Sequence, residues 1–365
     1  MCMGDKRIVM TLDAGGTNFV FSAIRDNEEI VRPITLPAVV DDIELCLQTL
    51  LDGFRRVQAA LSEKAVAISF AFPGPADYVH GIIGDLPNFP AFRGGVALGP
   101  YLQEQFQIPV YINNDGNLFA YGEALAGILP EINRQLEVSG STKRYKNLIG
   151  VTLGTGFGAG VVIDGNLVIG DNGAGGDVWC FRNKKYPEYI VEESVSIRAV
   201  KRVYHELSGS SDKTLTPKDI YEIAEGIRQG DRLAAIRSFE ELGEMAGNAL
   251  AEMVTMVDGL IVIGGGLSGA STYILPALMR EMKETLQMMD GSRFPRLQMG
   301  LFNLDDPEGK KVFLRGTHSQ IRVPGTNRLV TYDPCKRIGI AISKLGAARA
   351  ISLGAYQYAL NQLDK

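Results

Sequence analysis

Two stretches of this chain repeat one pattern. Residues 8–12 read Ile8-Val9-Met10-Thr11-Leu12, followed by Asp13-Ala14-Gly15-Gly16-Thr17-Asn18 and a second apolar run, Phe19-Val20-Phe21-Ser22-Ala23-Ile24. Residues 148–153 lead in the same way into Gly154-Thr155-Gly156-Phe157-Gly158-Ala159-Gly160 and then Val161-Val162-Ile163. Two β-rich runs about a glycine turn predict a hairpin. An offset of 153 − 12 = 141 residues pairs Leu12 with Leu153, Gly15 with Gly156 and Val20 with Val161. That period is too long for a solenoid, so it predicts two related domains, each opening with a strand, a glycine turn and a strand. A cleft between them is the expected ligand site.

Length agrees with two domains, since 365 residues exceed one module of roughly 150. The chain is 45% apolar and 22% charged, which excludes disordered and fibrous classes. Lys and Arg number 37 against 42 Asp and Glu, a net −5 with both signs scattered, which argues against nucleic-acid and membrane partners and for a small molecule. With no long apolar run and no signal-peptide core, a cytoplasmic protein is expected. Cys2, Cys46, Cys180 and Cys335 form no C-x-x-C, so reduced thiols are the default.

Apolar spacing predicts a helix over residues 41–62 and a buried strand over 65–72, stopped by Pro73-Gly74-Pro75, for an order of ββαβ. Further helices are predicted over 117–126, 232–257 and 344–363, with a strand over 260–263 ending in Gly264-Gly265-Gly266. Residues 288–335, richer in charge, Pro and Gly, read as an insertion with short β-like pieces such as Val312-Phe313-Leu314. The expected domains are 1–115 plus 345–365, and 116–344.

The glycine turns carry the chemistry. Asp13-x-Gly15-Gly16-Thr17 offers close backbone approach, free N–H donors, a hydroxyl and a carboxylate, which a nucleotide phosphate and Mg²⁺ require. It lacks the Gly-Lys-Ser/Thr of a Walker A loop. Gly154-Thr155-Gly156 is a second such turn, and two can clamp a polyphosphate. Gly264-Gly265-Gly266 is either a structural turn or part of that site. Asn113-Asn114-Asp115-Gly116-Asn117 follows a short strand and opens a helix, so Asp115 and Asn117 are either caps or face a site. In the second case Asp115 accepts a hydroxyl proton while Asn114 orients the alcohol, and an ordinary carboxylate suffices where positioning carries most of the barrier reduction.

Taken in order, Asp13-x-Gly-Gly-Thr17, Phe72-Pro-Gly-Pro75, Pro87-Asn88-Phe89, Asn114-Asp115-x-Asn117-x-x-Ala120-x-Gly122-Glu123, Leu153-Gly-Thr-Gly156-x-Gly158, Gly173-Ala-Gly-Gly176 and Ile261-Val-Ile-Gly-Gly-Gly266 resemble the ROK family of repressors, open reading frames and sugar kinases. The resemblance spans nearly the whole chain. It implies an α/β fold of two RNase-H-like, actin-like domains of the hexokinase superfamily around a central cleft. ATP, Mg²⁺ and a hexose are the implied ligands, and phosphorylation of glucose to glucose 6-phosphate is the implied reaction. By that resemblance Asp13, Gly15, Gly16, Thr17, Gly154, Thr155 and Gly156 serve the phosphates, with Asp13 also at Mg²⁺. Gly264, Gly265 and Gly266 approach adenosine, Asn88 and Asn114 hold sugar hydroxyls, and Asp115 is the base. A homo-oligomer, taken as a dimer, is implied too.

One segment departs from the family pattern. The family continues its glycine turn with Glu-x-Gly-His and a Cys-x-Cys-Gly-x-x-Gly-Cys zinc module, whereas this chain reads Asp177-Val178-Trp179-Cys180 with no further Cys to residue 200. Asp177 can replace the sugar-binding Glu, but a closed zinc site needs four ligands, so no zinc is expected. Glu192, or Glu193 one residue on, stands near the family's second sugar-binding Glu, and both are equally placed to start a helix through Val200. Trp179 is either core or a wall of the sugar pocket. His80, His205 and His318 stand apart from every motif. An N-acetylhexosamine kinase, a non-catalytic sugar sensor and an actin-like ATPase are the alternatives. A sugar-responsive repressor is disfavoured, because Asp13 leaves no room for a preceding DNA-binding module.

Overall fold

The computed structural model of the chain describes residues 5–15, 17–74, 76–84 and 90–365. It divides into two compact units. The first comprises Met1–Gly127, Asn166–Gly176 and Leu345–Lys365, the second Ile128–Gly165 and Asp177–Lys344. The first therefore runs past residue 115 and takes in residues 166–176. The reason for the longer boundary is a close helix crossing. Helix Asp115–Leu125 lies on helix Ala347–Leu363, and a Cβ on Gly122 would collide with the Ala350 carbonyl, one on Gly354 with the Leu118 carbonyl.

In the first unit, strand Val9–Ala14 pairs antiparallel with Asn18–Arg25 and parallel with Ala67–Ala71, which pairs parallel with Val110–Asn113. Side chains alternate across this sheet. Met10, Leu12, Phe21 and Phe70 face one core with Phe54 of helix Ile43–Ala60, while Val9, Ile24 and Ala67 face Leu353 and Tyr356 of the C-terminal helix. The first core is held by edge-on aromatic pairs such as Phe21–Phe54, with ring centroids 5.1 Å apart, each such pair adding about 0.5–1.5 kcal/mol to the burial itself.

The second unit repeats the scheme. Leu148–Leu153 pairs antiparallel with Phe157–Ile163 and parallel with Leu260–Gly264, which is followed across the sheet by Arg337–Ile342 and Gly300–Asn303, also parallel. Helix Arg232–Val257 spans its predicted range and packs on helix Ser271–Met282.

Residues 288–335 are only partly an insertion, because Gly300–Asn303 belongs to the main sheet. Val312-Phe313-Leu314 is helical, lying in Pro307–Arg315. Asp306 caps that helix by accepting from Gly309 N at 2.7 Å, and Pro307 stands at its first position, so an N-terminal stop signal outweighs the β-branched and aromatic character of three residues. Two exposed hairpins, Thr285–Gln287 with Arg293–Pro295 and Ser319–Arg322 with Leu329–Tyr332, complete the segment.

Candidate active site

In the first unit, register brings the chemistry to one sheet edge. Asp13, Ala71 and Asn113 are direct neighbours across three parallel strands at their carboxyl ends, so Asp13 and Asn113 stand two strand spacings, about 10 Å, apart. Asp115 follows at the first turn of its helix. Three asparagines build that corner. Asn113 Oδ1 accepts from Asn114 N at 2.8 Å and from Asn117 Nδ2 at 3.0 Å, and Asn114 Oδ1 caps the helix by accepting from Asn117 N at 2.6 Å. Asn114 is thus the cap, and its Nδ2 still has hydrogens to donate. Asp115 Oδ1 accepts from Gly116 N at 2.9 Å. Asp115 is solvent-reachable at its surface yet crowded by protein. That crowding pushes its pKa up, against the backbone N–H donors that lower it.

Asp13 is also raised from the ordinary carboxylate range by loss of hydration. It opens on a cavity of about 280 Å³ that Thr11, Ser22, Arg349 and Ser352 help to line. Ser22 Oγ is buried there and has no hydrogen-bond partner. A carboxylate among hydroxyls is an oxygen donor set suited to a hard, hydrated cation, so Mg²⁺ fits at Asp13. Gly15 and Thr17 flank the turn; Gly16 and Asn88 lie outside the described residues.

In the second unit, Gly154, Thr155 and Gly156 form the turn between paired Leu153 and Phe157. Gly264 pairs with Thr152, which sets Gly265 and Gly266 next to that turn. Gly265 has φ +87° and lies so close over Leu153 that a Cβ would strike its backbone, whereas a Cβ on Gly154 or Gly266 would meet open space. The two turns thus present bare backbone with room beside it, as a phosphate and its nucleoside need. Glu192 stands behind the first turn. Its Oε2 accepts from Phe157 N at 2.9 Å and its Oε1 pairs with Arg198 at 2.9 Å. Glu193 also pairs with Arg198. Neither glutamate begins a long helix: they lie in the short turn Val191–Glu193, and the helix starts at Ile197.

Asp177 precedes the turn Val178–Cys180. Burial raises its pKa, opposed by a hydrogen bond from the Trp179 side chain. Trp179 is 42% exposed, so it is not core. Cys180 Sγ lies 3.0 Å from the Asp177 carbonyl oxygen. Among the described residues no group of three or more His, Cys, Asp or Glu is set to hold a metal ion. His80 bonds to Asp77 and His205 to the Ser210 carbonyl. Sequence reasoning missed Arg198 and the hydroxyls of Thr11 and Ser22. The latter were readable as the alternate positions of the two strands around Asp13, on its side of the sheet.

Residues 9–294 match the model of the ROK family. The chain belongs to the ROK family. Among its ROK relatives, glucokinase of Thermotoga maritima is 25% identical over 301 residues, covering 76% of this chain and 87% of that one. N-acetyl-D-glucosamine kinase of Yersinia enterocolitica is 26% identical over 304 residues, covering 78% and 92%. The crystal structure of glucokinase from Parabacteroides distasonis is 66% identical, covers 98% of each chain and superposes with a TM-score of 0.89. The fold is the mixed α/β architecture of ROK kinases, shared with a Thermus thermophilus ROK hexokinase at 19% identity and a TM-score of 0.67.

Proposed function

We propose that this ROK protein is an ATP-dependent sugar kinase whose substrate is glucose and whose product is glucose 6-phosphate. The observation that carries the substrate is the 66% identity, over 98% of both chains, to a glucokinase. Asp115 accepts the proton of the attacking hydroxyl, and its raised pKa makes it a stronger base than an ordinary carboxylate. Asn114, its Oδ1 spent on the helix cap, turns Nδ2 to a sugar hydroxyl. Asp177 and Glu192 accept from further hydroxyls; each Glu192 oxygen keeps a lone pair beyond its bond to Phe157 or Arg198. Asn88 is assigned to the sugar by family likeness. By family likeness Gly15, Gly16, Thr17, Gly154, Thr155 and Gly156 are assigned to the phosphates and Gly264, Gly265 and Gly266 to adenosine. Mg²⁺, when bound, would neutralise phosphate charge, and Asp13 is the residue that would hold it.

We also propose a cytoplasmic homodimer that needs neither zinc, nucleic acid nor membrane; no helix among the described residues is long and apolar enough to cross one. The test of the reaction is ADP release with Mg-ATP over a panel of glucose, mannose, fructose, N-acetylglucosamine and N-acetylmannosamine. The expected result is the highest kcat/KM with glucose. A higher value for N-acetylglucosamine reassigns the substrate, and no ADP release with any sugar makes the protein a sensor.

A further inference from the structure

The segment from Asp177 to Glu192 carries two of the side chains assigned to the sugar, yet it has almost no regular structure beyond two short turns and a bridge between Arg182 and Ile190. Something other than a ladder holds it. Asn183, 0% exposed, sits at its centre with its backbone N–H and both polar atoms of its side chain in use. Its backbone N–H donates to Tyr189 O at 3.0 Å. Its Oδ1 accepts from the backbone N–H groups of Lys185 and Tyr186, both at 3.0 Å. Its Nδ2 donates to Ser194 Oγ at 2.8 Å and to Ile190 O at 3.3 Å, two residues that flank Glu192 on either side. Val191 N adds a bond to Phe181 O at 2.7 Å.

The loop is anchored outward by two lysines. Lys185 Nζ meets Glu241 at 2.7 Å and Lys184 Nζ meets Glu281 at 2.7 Å, on side chains only 4% and 5% exposed. Those carboxylates belong to helices Arg232–Val257 and Ser271–Met282. A buried carboxylate without a cation is costly, so Glu241 holds Lys185 and through it the loop; Glu281 binds Lys184 while also pairing with Arg296 at 2.8 Å, which makes Lys184 the weaker anchor.

We propose that Asn183 is the positioning residue that sets Glu192, and through Glu192 the Gly154–Phe157 turn, with Lys184 and Lys185 as its outer anchors. A hydrogen-bonded amide here organises the sugar-facing loop from within the protein. The inference rests on the kinase reading for the meaning of Glu192, while the order of the loop stands independently of it.

Two variants and two readouts test it. Asn183→Ala leaves the Lys185 and Tyr186 N–H groups and Ser194 Oγ without their partner. It is expected to raise the glucose KM about 10²-fold, the loss that a misplacement of about 1 Å brings, and the ATP KM by less. The pH profile of kcat stays that of the wild type, because Asp115 belongs to the other unit. Ser194→Ala, in which Asn183 keeps Ile190 as acceptor, shifts the glucose KM in the same direction by a smaller factor. General destabilisation gives the opposite split, a lower kcat from fewer active molecules at unchanged KM. Trypsin supplies the second readout: cleavage after Arg182, Lys184 and Lys185 is slow in the wild type and faster in Asn183→Ala. Wild-type KM values in a folded Asn183→Ala overturn the proposal. If that variant does not fold, an unchanged glucose KM in Ser194→Ala overturns it. Wild type that binds no sugar but shows trypsin protection lost in Asn183→Ala defeats the kinase reading and leaves the loop assignment standing.

Discussion

The two glycine hairpins share a plan and differ in what stands behind them. Each is antiparallel, each has a parallel strand on its inner side, and each turns at the carboxyl end of its sheet. The first ends in Asp13, a carboxylate with no salt-bridge partner among the described residues and a raised pKa, and its sheet edge continues to Asp115, raised by the same cause. The second has no acid in its turn. Its carboxylate, Glu192, stands behind it, tied to Phe157 and Arg198. One scaffold plan thus carries two different charge arrangements. On the proposed kinase reading, the unpaired carboxylates of the first unit serve chemistry and cation binding, while in the second unit Glu192 is paired and braces the phosphate turn. Desolvation of an unpaired carboxylate costs stability and at the same time raises its proton affinity, the property a proton acceptor needs.

The largest expected effect breaks the first half of that division. Asp115→Asn keeps a hydrogen-bonding side chain but cannot take the proton, so kcat falls by about 10²–10⁴-fold while glucose affinity stays within about tenfold. Stability moves the other way. A carboxyl whose folded pKa lies above its unfolded value binds its proton more tightly when folded. The contribution is therefore full below the unfolded pKa, near 3.9, and is lost as pH rises through the folded value. At pH 7 wild-type Asp115 is a net cost, and the amide is expected to raise Tm there, with the difference vanishing below about pH 4. In the wild type, kcat falls as pH drops through the raised value. A variant with normal turnover, or one less stable than wild type at pH 7, removes Asp115 from this role.

The next effect tests the brace. A methyl on Gly156 would lie 2.6 Å from Glu192 Oε2, so Gly156→Ala must displace the carboxylate from Phe157 N. A hydrogen bond to a charged group is worth about 1.5–3 kcal/mol, so the ATP KM is expected to rise about tenfold or more, with the pH profile of kcat unmoved. An ATP KM equal to wild type would show that the turn does not depend on Glu192.

Metal removal bears on the same contrast, because the loop ahead of Glu192 is held by Asn183 and two lysine pairs. Protein purified without added metal is expected to contain far less than one zinc per chain and to keep its activity with Mg-ATP after treatment with a zinc-selective chelator. Stoichiometric zinc, with activity lost on stripping it, would reveal ligands that the motif reading overlooked.

Much of this was legible in sequence because it is written in local patterns. The 141-residue offset located both hairpins, and apolar periodicity gave helix Arg232–Val257 its limits. The motif around Gly122 was readable, but its cause was not, since the partner Gly354 lies more than 200 residues away and only their crossing shows why neither carries a side chain. The insertion was misread where three β-like residues, Val312 to Leu314, were weighed above Asp306 and Pro307 just before them. Asn183 and Arg198 gave no signal at all. Their side-chain partners, Lys185, Tyr186, Ile190 and Ser194 for Asn183 and Glu192 and Glu193 for Arg198, lie close in sequence, but the segment has no periodic pattern to mark them, and a buried asparagine looks like any polar loop residue until its neighbours are placed.

The smallest effect is spectroscopic and lies in the second unit, where Trp179 is the only tryptophan. Its side chain donates to Asp177, and it is 42% exposed, so a hydroxyl that takes up Asp177 must alter both the indole hydrogen bond and its contact with water. Glucose is expected to change tryptophan emission saturably. The midpoint should match the glucose KM where chemistry is slow relative to sugar release. ATP alone should change it much less, because the turns at Gly154 and Gly264 hold no residue bonded to Trp179. Trp179→Phe should abolish the signal and leave the glucose KM within a few fold, since Asp177 keeps its own place in the chain. Active enzyme whose emission ignores every hexose would separate Asp177 from the sugar and leave Glu192 as the acid of the second unit that serves both the turn and the substrate.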